Sequence, residues 1–147
     1  MAYSDFAFFH PLRVRWSETD PVGVVFNGHY ATYIHVAFTE YLRAIGLPNA
    51  LQQQQAGRVL FVRKSSIEYL ASARFDDMLE IGFRCVQLGR SSLRFVQEIW
   101  CSSRLLIVGE LVYVFTDTDL GKGVALPDAW RKVIAEFEKI PPESAPA

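Results

Sequence analysis

The 147-residue chain is 50% hydrophobic and 14% aromatic, and its 15 basic and 16 acidic side chains leave a net charge of −1. Such a length suits one domain with its own core, and the composition excludes a disordered chain, a collagen or a coiled coil. Like charges never run beyond two, so no stripe for nucleic acid or for an acidic membrane surface is present. No apolar run reaches the ~18 residues of a membrane-spanning helix.

Residues 12–17 alternate, with Leu12, Val14 and Trp16 apolar and Arg13, Arg15 and Ser17 polar, which predicts a half-buried strand. The stretch ETDPVGVVFNGHY that follows is broken by Pro21, Gly23, Asn27 and Gly28. From His29 to Gly46 the apolar residues Tyr30, Tyr33, Ile34, Ala37, Phe38, Tyr41, Leu42 and Ile45 recur at helical spacing and form one wide face. Gly46 and Pro48 supply the stop. The Gln-rich piece 51–57 reads as a short helical turn or loop.

Strand patterns then dominate. Residues 58–70 form the first. In the next, Leu79, Ile81, Phe83 and Cys85 alternate with Glu80, Gly82 and Arg84. Leu93, Phe95, Ile99 and Cys101 share a face of the third, and 105–115 is almost continuously apolar. The short breaks between them suit antiparallel hairpins. Pro127 opens a last amphipathic helix carrying Trp130, Val133, Ile134 and Phe137. A lone helix must bury its stripe against the sheet. The expected fold is therefore α+β: an antiparallel sheet of about five strands wrapped around one long helix, plus a C-terminal helix. We expect one domain over residues 1–140 and a flexible tail over 141–147. Cys85 and Cys101 lack CxxC spacing and the N-terminus lacks a leader pattern, so a cytoplasmic protein with two structural thiols is expected.

No GxSxG elbow, P-loop, GxGxxG or HExxH is present. His29 and His35 lie about 120° apart around the helix, which argues against a shared metal. Ser91 and Ser92 have no His–Asp partner to make them nucleophiles. The junction between strand and helix remains. The first N–H groups of a helix have no intrahelical partners and carry partial positive charge, so they can polarise a carbonyl oxygen. Asp20, held beside them, could attack an acyl carbon or deprotonate a water that does. An Asp before a Pro is also an ordinary turn feature. Glu18 could share a face with Asp20, but the turn between them argues against a pair.

The segment RWSETDPVGVVFNGHYATY resembles the signature of the hot-dog-fold acyl-CoA thioesterases, the 4-hydroxybenzoyl-CoA thioesterase-like group. Its core stands here as Asp20, Pro21, Gly23, Val24, Val25 and Phe26. TEYLRAIGL, IEYLASARFDD and GRSSLRF are also similar, so the resemblance spans residues 10–130. It implies a hot-dog fold, a homodimer or homotetramer with active sites between subunits, and hydrolysis of an acyl- or aryl-CoA to free acid and CoA. Asp20 would be nucleophile or general base, and backbone N–H groups near Asn27 and Gly28 would hold the thioester carbonyl. Gly23, Val25 and Phe26 would border the substrate. His29 follows Gly28 where relatives vary, so a polar role for it near the thioester is this chain's own candidate and not one that the resemblance supplies.

Arg63, Lys64, Arg90 and Arg94 are the candidate cations for the CoA phosphates, with Ser91 beside Arg90. No resident cofactor or metal is implied, and no nucleic acid. Where this chain has Val36 and Phe38, relatives often carry an acidic residue and an arginine; Phe38 then either walls an acyl pocket or fills the core. The alternatives are a non-catalytic acyl-CoA-binding protein and an enoyl-CoA hydratase or dehydratase, for which His29 with Asp20 would be the acid–base pair.

Overall fold

Helix α1 (His29–Ile45) buries Tyr30, Tyr33, Ile34, Ala37, Phe38, Tyr41 and Leu42, the stripe that its periodicity predicts. It stops where Gly46 turns left-handed (φ 77°) and returns its N–H to the carbonyls of Leu42 and Arg43. The computed structural model describes residues 1–145. The Gln-rich piece forms α2 (Ala50–Gln55), capped by the Asn49 side chain, and α3 (Asp128–Phe137) follows Pro127.

One expectation shifts. The strand predicted over 12–17 lies earlier, as β1 (Phe9–Arg13), and Trp16–Glu18 is a 3-10 turn. The reason is Glu18, whose carboxylate accepts the Arg15 N–H at 2.8 Å and its guanidinium at 2.7 Å, coiling the chain back on itself. Trp16 consequently points out, 71% exposed, instead of into the core.

The remaining long strands are β2 (Arg58–Tyr69), β3 (Met78–Leu88), β4 (Ser92–Cys101) and β5 (Arg104–Asp117). They pair antiparallel in the order β1-β3-β4-β5-β2. Two-residue strands extend the sheet: β6 (Lys122–Gly123) beside β5, and β7 (Glu143–Ser144) parallel to β3. The expected tail over 141–147 thus includes a paired segment, with Pro146 and Ala147 outside the described residues.

The concave face of the sheet and α1 enclose the core. Phe38 is core: its ring stacks on Tyr113 with centroids 4.5 Å apart and meets Phe83 and Phe95 at 5.6 and 5.5 Å. Tyr41 joins the same cluster through Phe83. Truncating a fully buried ring such as Phe95 costs about 3–5 kcal/mol, so this cluster sets the seat of α1. With α1 fixed, its N-terminus is held over the loop that leads into it.

Candidate functional site

The loop carrying Asp20 is built by hydrogen bonds that fold it tightly. The Asp20 N–H donates to the Val24 carbonyl (2.8 Å) and the Gly23 N–H to the Asp20 carbonyl (2.9 Å). Gly23 sits at φ +89°, in the left-handed region that favours glycine. The loop is then pinned to the start of β3's lead-in by Val25 N–H to Ala73 carbonyl at 2.9 Å, and to the 3-10 turn by Phe26 N–H to Glu18 carbonyl at 3.0 Å.

Asp20 Oδ1 accepts from the Val22 N–H (2.9 Å) and the Val24 N–H (3.4 Å). Among the described residues nothing bonds Oδ2. One oxygen therefore orients the carboxylate and the other is left for chemistry. The helix start differs in detail from the simple picture of free N–H groups. Those of His29 and Tyr30 are taken by the carbonyls of Phe26 (3.0 Å) and Asn27 (3.3 Å). The N–H groups of Asn27 and Gly28 have no partner among the described residues, which leaves them as donors for a carbonyl oxygen.

Asp20, Val25, Phe26 and Asn27 line one open cleft of about 450 Å³. Residues that sequence reasoning missed complete it: Tyr30 from α1, and Tyr69, Leu70, Ala71 and Ser72 from the end of β2. Residues 69–72 lie in the IEYLASARFDD segment that carries part of the resemblance, but only tertiary folding brings them beside 20–27. Gly23, Gly28 and His29 belong to the same loop and helix start without lining the cleft. The His29 ring lies against Phe26, with centroids 6.0 Å apart.

Glu18 does not pair with Asp20. Burial pushes its carboxyl up, but hydrogen bonds from Arg15 outweigh this and hold it below the usual carboxylate range. Its charge is thus spent on the 3-10 turn. Glu18 stiffens the loop without entering the cleft.

The candidate phosphate-binding cations lie elsewhere in the protomer. Arg63 and Lys64 line a separate cavity of about 270 Å³ with Gln87, Ser92 and Arg94. Lys64 and Arg94 both meet Glu110 there, at 3.2 and 2.9 Å. Arg90 and Ser91 occupy the β3–β4 turn, at the opposite end of β3 from the Asp20 loop, roughly 30 Å along the strand. Their carbonyls accept from the N–H groups of Leu126 (2.8 Å) and Phe115 (2.7 Å). In one protomer Arg63, Lys64, Arg90, Ser91 and Arg94 do not come together with Asp20.

Residues 22–108 match the family model described as the Thioesterase superfamily. The chain is similar to the acyl-CoA thioester hydrolase YbgC of Escherichia coli, at 38% identity over 90% of this chain and 96% of the relative. Among solved structures, it resembles a thioesterase from Thermus thermophilus complexed with coenzyme A and Zn. That match has a TM-score of 0.79 at 28% identity, covering 93% of this chain and 98% of the other. A 1,4-dihydroxy-2-naphthoyl-CoA thioesterase from Synechocystis matches in fold, with a TM-score of 0.81 at 23% identity over 86% of this chain and 94% of the other. The sheet wrapped on α1 and the loop before it are thus those of a known group, and the chain belongs to the thioesterase superfamily, with its hot-dog fold.

Proposed function

We propose that the protein is an acyl-CoA thioesterase, releasing a carboxylic acid and free CoA, with its reaction centre in the Asp20 cleft. The observation that carries the centre is Asp20 itself. Its Oδ1 is committed to the loop and Oδ2 is not, in a cleft that Asn27 also lines, and the N–H groups of Asn27 and of the next residue, Gly28, have no partner among the described residues. The substrate carbonyl oxygen would accept from those N–H groups while Oδ2 attacks the acyl carbon or takes a proton from the water that does. In the general-base route the C–S bond then breaks and the CoA sulfur leaves with the proton that Asp20 took from the water. In the nucleophilic route the CoA leaves as thiolate, and water then hydrolyses the acyl–Asp20 anhydride, giving the free acid, restoring the carboxylate and supplying the thiol proton. Water is the only co-reactant, and no resident cofactor enters. Gly23 lets the loop turn back at the substrate, Val25 and Phe26 wall it, and His29, whose ring lies against Phe26 outside the cleft lining, would approach the thioester only from behind that ring.

The active unit is a homodimer or homotetramer. Strand β2 is the outer edge of the sheet and leaves Phe61 and Val62 at least half exposed, so a second copy pairing along it would cover them. Arg63, Lys64, Arg90 and Ser91, remote from Asp20 in their own protomer, would then meet the CoA phosphates of a neighbour's site. Two free thiols, Cys85 and Cys101, fit a reducing cytoplasm. The test is thiol release, followed spectrophotometrically, from aryl-, short- and long-chain acyl-CoAs. Release by the wild-type protein and its loss in Asp20→Asn are expected; release that survives in Asp20→Asn would remove Asp20 from the mechanism.

A further inference from the structure

The two halves of the reaction centre ride on different pieces of structure. A loop carries the Asp20 carboxylate, and the start of α1 carries the N–H groups of Asn27 and Gly28. The chain that joins them directly has no helix or strand of its own. A second connection, made of hydrogen bonds, spans the same gap. Tyr30, in the first turn of α1, accepts the Ala73 N–H on its hydroxyl oxygen at 3.0 Å. The carbonyl of Ala73 in turn accepts the Val25 N–H at 2.9 Å. Next to Val25 is Val24, whose carbonyl accepts the Asp20 N–H at 2.8 Å and whose N–H reaches Asp20 Oδ1 at 3.4 Å.

Ala73 is a firm link in this relay. It is 0% exposed, and the residues on either side of it are anchored. Leu70 and Ala71 both donate their N–H to the Leu106 carbonyl of β5, at 2.8 and 3.1 Å, and Arg74 forms a bridge with Val24. Among the described residues, the Tyr30 hydroxyl makes the one hydrogen bond between α1 and residues 70–74. The ring that carries it is buried and meets Tyr33 and Tyr69 with centroids 5.9 and 5.8 Å apart, which fixes where the hydroxyl stands. Burial pushes the hydroxyl's pKa up, so it stays protonated and serves Ala73 as a neutral acceptor. A phenylalanine would fill the same space and leave the Ala73 N–H buried without a partner.

We propose that Tyr30 is a positioning residue for the hydrolysis: through Ala73 and Val25 it holds the Asp20 carboxylate at its working distance from the helix N–H groups. The inference rests on the thioesterase reading of the Asp20 cleft. Attack requires the reacting atoms within about 3–3.5 Å, and an error of about 1 Å can cost on the order of 100-fold in rate. Binding of a long acyl-CoA is spread over many contacts and is far less sensitive to that one distance. A loosened relay therefore shows itself in kcat and not in KM. In this role Tyr30 neither gives nor takes a proton, and the route by which Asp20 acts is unchanged.

The test compares Tyr30→Phe with Tyr41→Phe. The second variant removes another buried hydroxyl, bonded to Glu138 at 2.6 Å and about 16 Å further along the same helix. Both are expected to lower Tm. Tyr30→Phe alone is expected to lower kcat for thiol release, by about tenfold to 100-fold, with KM within about twofold of the wild-type value. It alone is also expected to speed amide hydrogen exchange at Ala73 and Val25, by about tenfold or more. Equal falls in kcat for the two variants, a fall carried by KM, or a kcat unchanged in Tyr30→Phe would overturn the inference and leave Tyr30 an ordinary core side chain. If the wild-type protein cleaves no thioester, the thioesterase reading fails on its own. Amide exchange then still decides the relay: acceleration confined to Tyr30→Phe upholds it, and unchanged exchange at Val25 rejects it.

Discussion

Glu138, at the end of α3, accepts a 2.6 Å hydrogen bond from the Tyr41 hydroxyl and with the same oxygen, Oε2, accepts the Cys85 N–H at 2.9 Å. The carboxyl thereby ties α3 to α1 and to β3 at a place where the edge of β3 has no strand beside it. Cys85 lies between the stretch of β3 paired with β1 and the stretch paired with β7. Burial pushes the Glu138 carboxyl above the usual range, more than its hydrogen bonds and the charge of Arg84 pull it down. Its other oxygen, Oε1, is buried without a hydrogen-bond partner among the described residues.

A carboxyl whose folded-state pKa is raised binds its proton more tightly when folded. Its contribution to stability is full below the unfolded pKa and is lost as pH rises through the folded one. Glu138→Gln keeps an oxygen for Tyr41 and Cys85 and never ionises. We expect it to raise Tm at pH 8 by a few degrees and to lose that advantage toward pH 4. Glu138→Ala strands the hydroxyl and the N–H, at about 1–3 kcal/mol each, and lowers Tm at every pH. Thermal melts of the three proteins across pH check both; an equal gain for Glu138→Gln at pH 4 and pH 8 would contradict the account.

Asp20→Asn separates the orienting from the reacting oxygen. Asn Oδ1 can still accept from the N–H groups of Val22 and Val24, so the loop and the Tm stay as they are. What goes is the negative charge at Oδ2. Turnover is expected to fall by about 10²–10⁴-fold with little change in KM, measured as thiol release from the best substrate.

The helix, its stripe and its glycine stop are legible in the sequence because each is a local periodicity with a local terminator. So is Asp20, which lies a few residues before the helix it serves. What local pattern cannot show is any partner that arrives by folding. Tyr69–Ser72 close the cleft from the far end of β2, and Glu138 reaches Cys85 from the last helix. Trp16 is instructive in another way. Its alternation with Val14 is real, yet the Glu18 carboxylate captures Arg15 and turns the ring outward. Arg90 stands out in the sequence as a candidate phosphate-binding cation, and the length of β3 carries its turn away from Asp20 within the protomer.

Gly23 is required by its backbone and not by its surroundings. A Cβ there would meet only Arg74 Nη1, at 3.8 Å, an ordinary contact, whereas φ +89° penalises any L side chain. Gly23→Ala should therefore cost about 1–2 kcal/mol and loosen the turn that orients Asp20. Gly23→Asn, which tolerates the left-handed region better, should recover part of both Tm and kcat. Equal losses for Ala and Asn, measured by melts and thiol release, would point to crowding in place of backbone strain.

The edge of β2 connects assembly to catalysis. Phe61 is 58% and Val62 50% exposed on a twelve-residue outer strand whose far side pairs with no strand among the described residues. Unprotected edges of this kind invite a second strand. A charge at Phe61 opposes such pairing without entering the core, so Phe61→Glu should keep its fold and shift sedimentation toward the monomer. The Asp20 cleft lies within one protomer and would survive that change. The remote cations Arg63, Lys64, Arg90 and Arg94 would no longer be presented to it. Loss of their phosphate contacts should raise KM for acyl-CoA by tenfold or more, on the order of 1.4 kcal/mol, while thiol release from a short acyl thioester lacking the nucleotide changes little. A monomer with an unchanged KM for acyl-CoA would show that each protomer binds its substrate alone.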